Sequence, residues 1–215
     1  MPGSKYIPAL RFDALTSFYD PVVRLTTRES SFKRALIEEA HLKPGFQILD
    51  LGSGTGTLAL MIKEVCPDVT VFGIDSDLRI IETAQNKARN VQQKIGLVGG
   101  MSYALPFGDK IFDRVFSSLF FHHLTRENKI KTFYEVRRIL KPDGEIHIAD
   151  WGLPDGRLMK ISSRLIKLLD GEESTSDNHE GRLTSMLSES GFRGLKEPAR
   201  FNTVFGTIRL LNARI

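Results

Sequence analysis

A single cysteine, Cys66, stands among the 215 residues. One thiol cannot build a disulfide framework, and such scarcity fits a reducing compartment. No apolar run approaches the roughly 20 residues that a membrane-spanning helix needs, and the first residues lack an apolar signal core. The chain is therefore expected to be soluble and cytoplasmic. Excess charge of one sign is also scarce: 30 Lys and Arg against 26 Asp and Glu leave a net charge of +4. That balance is too small to mark a nucleic-acid surface, although it permits anionic partners. Internal repeats and low-complexity tracts are missing, which argues against a solenoid or a disordered linker. With 41% hydrophobic residues, the chain can core one domain over residues 1–215.

What is present centres on Gln47–Leu60, which reads Q-I-L-D-L-G-S-G-T-G-T-L-A-L. Ile48, Leu49 and Leu51 predict a strand, glycines follow, and a helix is expected over Thr55–Val65. Such glycines let the main chain approach a ligand, and the N–H groups opening the helix can receive an anion. Gly52, Gly54 and Gly56 are spaced G-x-G-x-G. A G-x-G-x-x-G dinucleotide loop would need its third glycine at position 57, which is Thr57. That spacing argues against a nicotinamide-dependent oxidoreductase.

A second strand, Val69–Ile74, ends in Asp75, about twenty residues past the loop, where a carboxylate can read a ribose diol. Ser76 or Asp77 can cap the following helix, Leu78–Asn90, which leaves Asp75 for the ribose. Ahead of the loop, Ser31–Leu42 has helical spacing. Behind it come strands at Lys94–Val98 and Phe112–Ser118, a helix at Glu127–Leu140, and a strand at Glu145–Trp151. A helix is expected over 181–190, then strands at Phe192–Glu197 and Phe201–Leu211. Alternating strands and helices with one glycine loop read as a doubly wound α/β fold, with its ligand at the carboxyl ends of the strands.

Asp50-Leu51-Gly52-Ser53-Gly54-Thr55-Gly56 resembles motif I of the class I S-adenosylmethionine-dependent methyltransferases, D/E-x-G-x-G-x-G. Gly99-Gly100-Met101-Ser102-Tyr103-Ala104-Leu105-Pro106-Phe107 is similar to the family's G-D-A-x-x-L-P-F segment, and Phe112-Asp113-Arg114-Val115 to its F-D-x-V. Arg138-Ile139-Leu140-Lys141-Pro142-Asp143-Gly144 is similar to R-x-L-K-P-G-G, with Asp143 replacing the first glycine. Together with His122-His123-Leu124, these segments look most like the branch that includes ubiquinone and menaquinone methyltransferases. The resemblance covers about residues 45–151. It implies a mostly parallel, seven-stranded, Rossmann-like sheet with its last strand antiparallel, and S-adenosylmethionine as cofactor, leaving S-adenosylhomocysteine. The implied reaction is methyl transfer to a small-molecule or lipid/quinone-like acceptor. Asp50, Gly52, Ser53, Gly54 and Gly56 would position the methionine end, Asp75 with Ser76 the ribose, and Met101 with Ser102 the adenine. Ser117, at the end of the fourth strand, would stand near the cofactor. Met101 occupies the place of an aspartate that commonly faces the adenine amine. It either lies against the adenine, with the Ser102 main chain reading a ring nitrogen, or is a core methionine. A non-catalytic S-adenosylmethionine-binding module is the competing reading, and Met101 is the feature that points to it.

The acceptor side is expected to draw on Tyr19, Phe120, His122 and Trp151. Tyr19 belongs to an N-terminal arm (1–30) and either folds over the cofactor or packs the arm onto the core. His122 is the candidate general base, against a structural, hydrogen-bonded role. Adjacent histidines point apart and no cysteine or carboxylate cluster accompanies them, so no metal site is expected. Residues 152–190 read as a substrate-side helical insertion. Its basic amphipathic stretch, 157–169, either makes peripheral membrane contact or shows its charges to water. A polar acidic loop follows at 172–178. Nucleic-acid methylation is disfavoured because Ser117-Ser118-Leu119-Phe120 stands where an N-P-P-Y motif would, and arsenite methylation because only Cys66 is available.

Overall fold

The computed structural model describes residues 29–152, 182–203 and 206–215. The expected N-terminal arm with Tyr19, the basic stretch 157–169 and the loop 172–178 lie outside the described residues. In chain order the elements are α1 (Glu29–Glu38), β1 (Gln47–Leu51), α2 (Thr57–Val65), β2 (Thr70–Asp75), α3 (Leu78–Asn90), β3 (Gly96–Gly99) and β4 (Phe112–Ser118). A 3₁₀ turn (Phe121–His123) then leads to α4 (Arg126–Ile139), β5 (Leu140–Trp151), α5 (Leu183–Glu189), β6 (Arg193–Lys196), β7 (Arg200–Asn202) and β8 (Thr207–Arg214).

The strands form one sheet in the order β3-β2-β1-β4-β5-β8-β6, with β7 also pairing with β8. Strands β1 to β5 are mutually parallel, and β8 runs antiparallel to β5. The expected strand at Phe201–Leu211 is in fact divided, which makes eight strands among the described residues rather than seven. Thr203 N–H donates to the Gly206 carbonyl at 2.9 Å, and Gly206 adopts φ 151°, so the chain turns back there and β7 pairs with β8. The fifth strand, expected from Glu145, begins at Leu140, and Lys141–Gly144 is a looped-out bulge inside it. Leu140 pairs with Phe112 and Glu145 with Arg114, while Asp143 takes φ 65°, a value aspartate tolerates better than most residues.

Strand side chains alternate between two apolar layers, as a sheet covered on both faces requires. Ile48, Phe116, Ala149 and Leu210 pack with Phe32, Leu36 and Ile37 of α1 and Leu58, Ala59 and Ile62 of α2. Leu49, Leu51, Val115, Ile146, Ile148 and Leu211 face the other way, against Phe133, Val136 and Ile139 of α4 and Met186 and Leu187 of α5. The doubly wound expectation therefore holds.

Two polar braces tie the recurring sequence segments together. Arg138 donates to the carbonyls of Leu105 (3.1 Å) and Phe107 (2.7 Å), and to Asp109 and Glu135 at 2.8 Å each. Asp113 accepts from the Gln47 main chain (2.8 Å) and from Lys141 Nζ (2.7 Å). Both braces lie away from the carboxyl ends of the strands. They hold the sheet in register and leave the opposite edge to the ligand-facing residues.

Candidate functional site

Because β1, β2, β4 and β5 are parallel neighbours, their carboxyl ends share one edge of the sheet. Three of them finish on an apolar pair or a glycine–apolar pair followed by aspartate, or pass through one: Ile48-Leu49-Asp50, Gly73-Ile74-Asp75 and Ile148-Ala149-Asp150. The loop after β1 folds through glycine. Gly52, Gly54 and Gly56 have φ 71°, 51° and 74°, left-handed values that cost other residues about 1–2 kcal/mol each. Gly52 and Ser53 donate to the Ile74 carbonyl at 2.9 and 3.0 Å, and Gly56 closes back on the Ser53 carbonyl at 2.9 Å. The loop is thereby strapped across the end of β2 before α2 begins.

Two carboxylates grip this loop through main-chain N–H groups. Asp75 Oδ2 accepts from Gly54 N–H (3.0 Å) and Oδ1 from Asp77 N–H (3.1 Å). Asp77 in turn caps α3 by accepting from Arg79 N–H at 2.9 Å. Asp50, 1% exposed, accepts from Ala59 N–H in the first turn of α2 at 3.2 Å. Burial pushes its carboxyl up to about 7, against the pull of the Lys33 ammonium and of Ala59 N–H. Lys33 reaches this region from α1 as a buried side chain ion-paired with Glu29. Burial also raises the Asp75 carboxyl, partly offset by the N–H groups of Asp77 and Gly54.

The expected residues are not all presented alike. Ser117 is buried and donates to the Leu51 carbonyl (3.1 Å), which stitches β4 to β1. Ser102 is also buried, and its hydroxyl shares a 2.8 Å hydrogen bond with Thr132 on α4. Met101 is 39% exposed, so it is no core methionine. Ser76 follows Asp75 directly, half-buried at the end of β2. Ser53 Oγ and Ser118 Oγ are buried without a hydrogen-bond partner among the described residues. Buried hydroxyls of this kind are costly unless something else satisfies them. Together with the open glycine cradle they fit a polar ligand seated along this edge.

Beyond β4 the chain turns sharply. Leu119 takes φ 53°, an uncommon conformation for leucine that marks a site the surroundings over-determine. The turn lays the Phe120 ring so close over Gly52 that a methyl group there would overlap it. It also brings His122 beneath the end of β5, where Nδ1 lies 2.8 Å from Asp150 Oδ1. Asp150, 2% exposed, also accepts from the main-chain N–H groups of Trp151 (2.7 Å) and His122 (3.3 Å). Burial alone would raise its carboxyl. The His122 imidazole and these hydrogen bonds outweigh that effect and hold it below the ordinary carboxylate range. With Nδ1–H donating to Asp150, His122 keeps Nε2 as its basic atom. Adjacent histidines are expected to point apart, but the turn brings the His123 ring to 3.9 Å from that of His122, centroid to centroid, and the neighbouring His122 together with burial depresses it to about 3. His123 is therefore a neutral imidazole near neutrality. Trp151 stands edge-on to His122 at 6.5 Å, while Phe120 packs on Gly52 and edge-on to Phe121. Asp150 escaped the sequence reading, although its strand-end position repeats that of Asp75.

Residues 48–144 match the protein-family model described as a methyltransferase domain. The chain is similar to the demethylmenaquinone methyltransferase of Lactobacillus johnsonii, 28% identical over 155 residues, 70% of this chain and 63% of that protein. It is also similar to the ubiquinone/menaquinone biosynthesis C-methyltransferase of Blochmanniella floridana, 30% identical over 137 residues, 60% of this chain and 52% of that protein. The matches thus span less than two thirds of these two relatives' lengths. Among solved structures, a SAM-dependent methyltransferase from Aquifex aeolicus superposes with a TM-score of 0.69 at 19% identity, covering 95% of this chain and 100% of that one. At that identity the likeness shows the shared fold.

Proposed function

We propose that this chain is a class I S-adenosylmethionine-dependent methyltransferase of the ubiquinone/menaquinone-like branch, to whose members it is similar, and that it methylates a small, lipid- or quinone-like acceptor. The observation that carries this reading is the glycine cradle strapped to β2, with Asp75 at its rim and two buried serine hydroxyls that have no partner among the described residues. Bound S-adenosylmethionine supplies an activated methyl group on a sulfonium, so the protein's tasks are alignment, exclusion of water and, where needed, removal of a proton.

Gly52–Gly56 would seat the methionine end along a main chain that its glycines leave open to close approach, with the N-terminus of α2 favouring its carboxylate. Asp50 serves this indirectly, because its buried carboxyl fixes the first turn of α2. Asp75 would accept from the ribose hydroxyls in addition to the main-chain bonds it already holds. On the β4–β5 side, Phe120 and Trp151 would wall an apolar acceptor, and both rings could favour a cationic centre nearby. His122 Nε2 would take the proton that an acidic acceptor sheds as the methyl carbon bonds to it. Asp150 would keep the imidazole in the required tautomer and orientation. Apart from Cys66, thiols are missing, and the described residues contain no cluster of His, Cys, Asp or Glu able to hold a metal. Among the described residues no helix is long and apolar enough to cross a membrane.

The test feeds methyl-labelled S-adenosylmethionine to the protein in a cell extract and partitions the products. Label in the organic phase is the expected outcome. Label confined to small polar metabolites would refute the lipid/quinone class while keeping methyl transfer. No transferred label, with S-adenosylhomocysteine bound in calorimetry, would favour the non-catalytic module.

A further inference from the structure

The strand order itself says where the base of the cofactor must lie. Along the carboxyl edge the glycine loop belongs to β1 and Asp75 to β2, and the next strand outward is β3, about 5 Å further on. If the methionine end sits over β1 and the ribose at Asp75, the adenine projects toward the end of β3. Asp75 and Gly99 are register partners across β2 and β3, which fixes that direction.

This end of the sheet is lined by apolar side chains. Leu78, the first residue of α3, is 69% exposed and lies across Gly99, where any side chain at 99 would collide with it. Met101, two residues further, is 39% exposed. Two large apolar side chains left open beside a carboxylate form the kind of patch that marks a ligand surface. Several polar groups nearby already have partners. Ser102 Oγ bonds with Thr132, and Asp77 caps α3. The Asp75 carbonyl accepts from Gly100 N–H (2.9 Å), and the Met101 carbonyl from Ala104 N–H (3.1 Å). A thioether is only a weak acceptor.

Resting on the reading that the chain binds S-adenosylmethionine, we propose that Leu78 and Met101 hold the purine ring by apolar contact and that no side chain among the described residues reads its 6-amino group. The site recognises the shape of a purine and the ribose diol, and it is indifferent to the substituent at position 6. Sites that hydrogen-bond a polar substituent reject the analogue lacking it strongly, because their own groups are left unpaired, whereas apolar surfaces discriminate weakly. A relaxed choice at this position follows.

The experiment compares three ligands by calorimetry on the whole chain. They are S-adenosylhomocysteine, its 6-deamino purine counterpart (which keeps the N1 acceptor) and its N6-methyl counterpart. Wild type is expected to bind all three within about threefold. Met101→Asp is expected to gain a preference of about tenfold or more for the amine-bearing ligand, since a charged acceptor would then face it. Wild-type discrimination above about tenfold would overturn the proposal. So would a folded Met101→Asp protein that still ignores the amine, because position 101 would then not face it. Failure of S-adenosylhomocysteine itself to bind would instead bring down the cofactor reading on which this proposal rests.

Discussion

The two halves of the carboxyl edge solve the same problem in different ways. Over β1 and β2, each buried or half-buried carboxylate is answered by main-chain N–H groups: Asp50 by Ala59, Asp75 by Gly54 and Asp77. Over β4 and β5, Asp150 also accepts main-chain N–H groups, but its distinctive partner is the His122 imidazole. A main-chain cradle is rigid and local and suits a ligand that never varies. A side-chain dyad delivered by a strained turn can be moved or replaced without touching the cradle, and it suits the half that must match a particular acceptor. The Phe120 ring over Gly52 is the seam between them.

The largest effect that would sharpen this contrast is a pH dependence on the cradle side. The Asp50 carboxyl titrates near 7 in the fold and near 3.8 when exposed. The native state therefore binds more protons than the unfolded state between those values, and its stability falls as pH rises through that window. A shift of that size corresponds to something on the order of 4 kcal/mol. In urea melts from pH 4 to 7.5, Asp50→Asn should lose this downward slope. Parallel profiles for variant and wild type would mean that Asp50 keeps its charge in the fold.

The next effect belongs to the other half. Asp150→Ala leaves a buried imidazole and two N–H groups without their acceptor and should cost about 3 kcal/mol in the same melts. Asp150→Asn, which can still accept, should cost clearly less. Equal losses for the two would make the site a matter of packing rather than of the dyad. His122→Ala should lower turnover on the order of a hundredfold, about 2.7 kcal/mol in barrier, while the dissociation constant for S-adenosylhomocysteine holds. A fall in cofactor affinity instead would erase the division between the halves. Smallest is Asp75→Ala, expected to weaken cofactor binding by about 1–3 kcal/mol and to leave turnover at saturation nearly unchanged. Unaltered affinity would remove Asp75 from the ribose role.

How much of this was legible beforehand follows from the same division. The G-x-G-x-G spacing prescribed left-handed turns that only glycine adopts cheaply, and all three glycines adopt them. Strand periodicity gave the order of elements and the two covered faces. The hairpin between β7 and β8 was hidden because Phe201 and Ile208–Leu211 fit one continuous strand, whereas the Thr203 N–H and hydroxyl both donate to the Gly206 carbonyl and turn the chain. Ser102 and Ser117 were legible as residents of the edge, but not as hydroxyls turned inward to Thr132 and Leu51.

By itself the sequence determined what depends on backbone conformation and short-range spacing: the glycine cradle, the capped helices, the alternation of layers and the apolar residue at 101. Tertiary structure alone decided the pairings between distant residues: Asp150 with His122 across 28 positions, Ser102 with Thr132 across 30, and Phe120 over Gly52. The reason is physical. A left-handed glycine is selected by sterics within its own peptide units, whereas a buried carboxylate takes whichever donor the packing of two strands and a turn delivers to it.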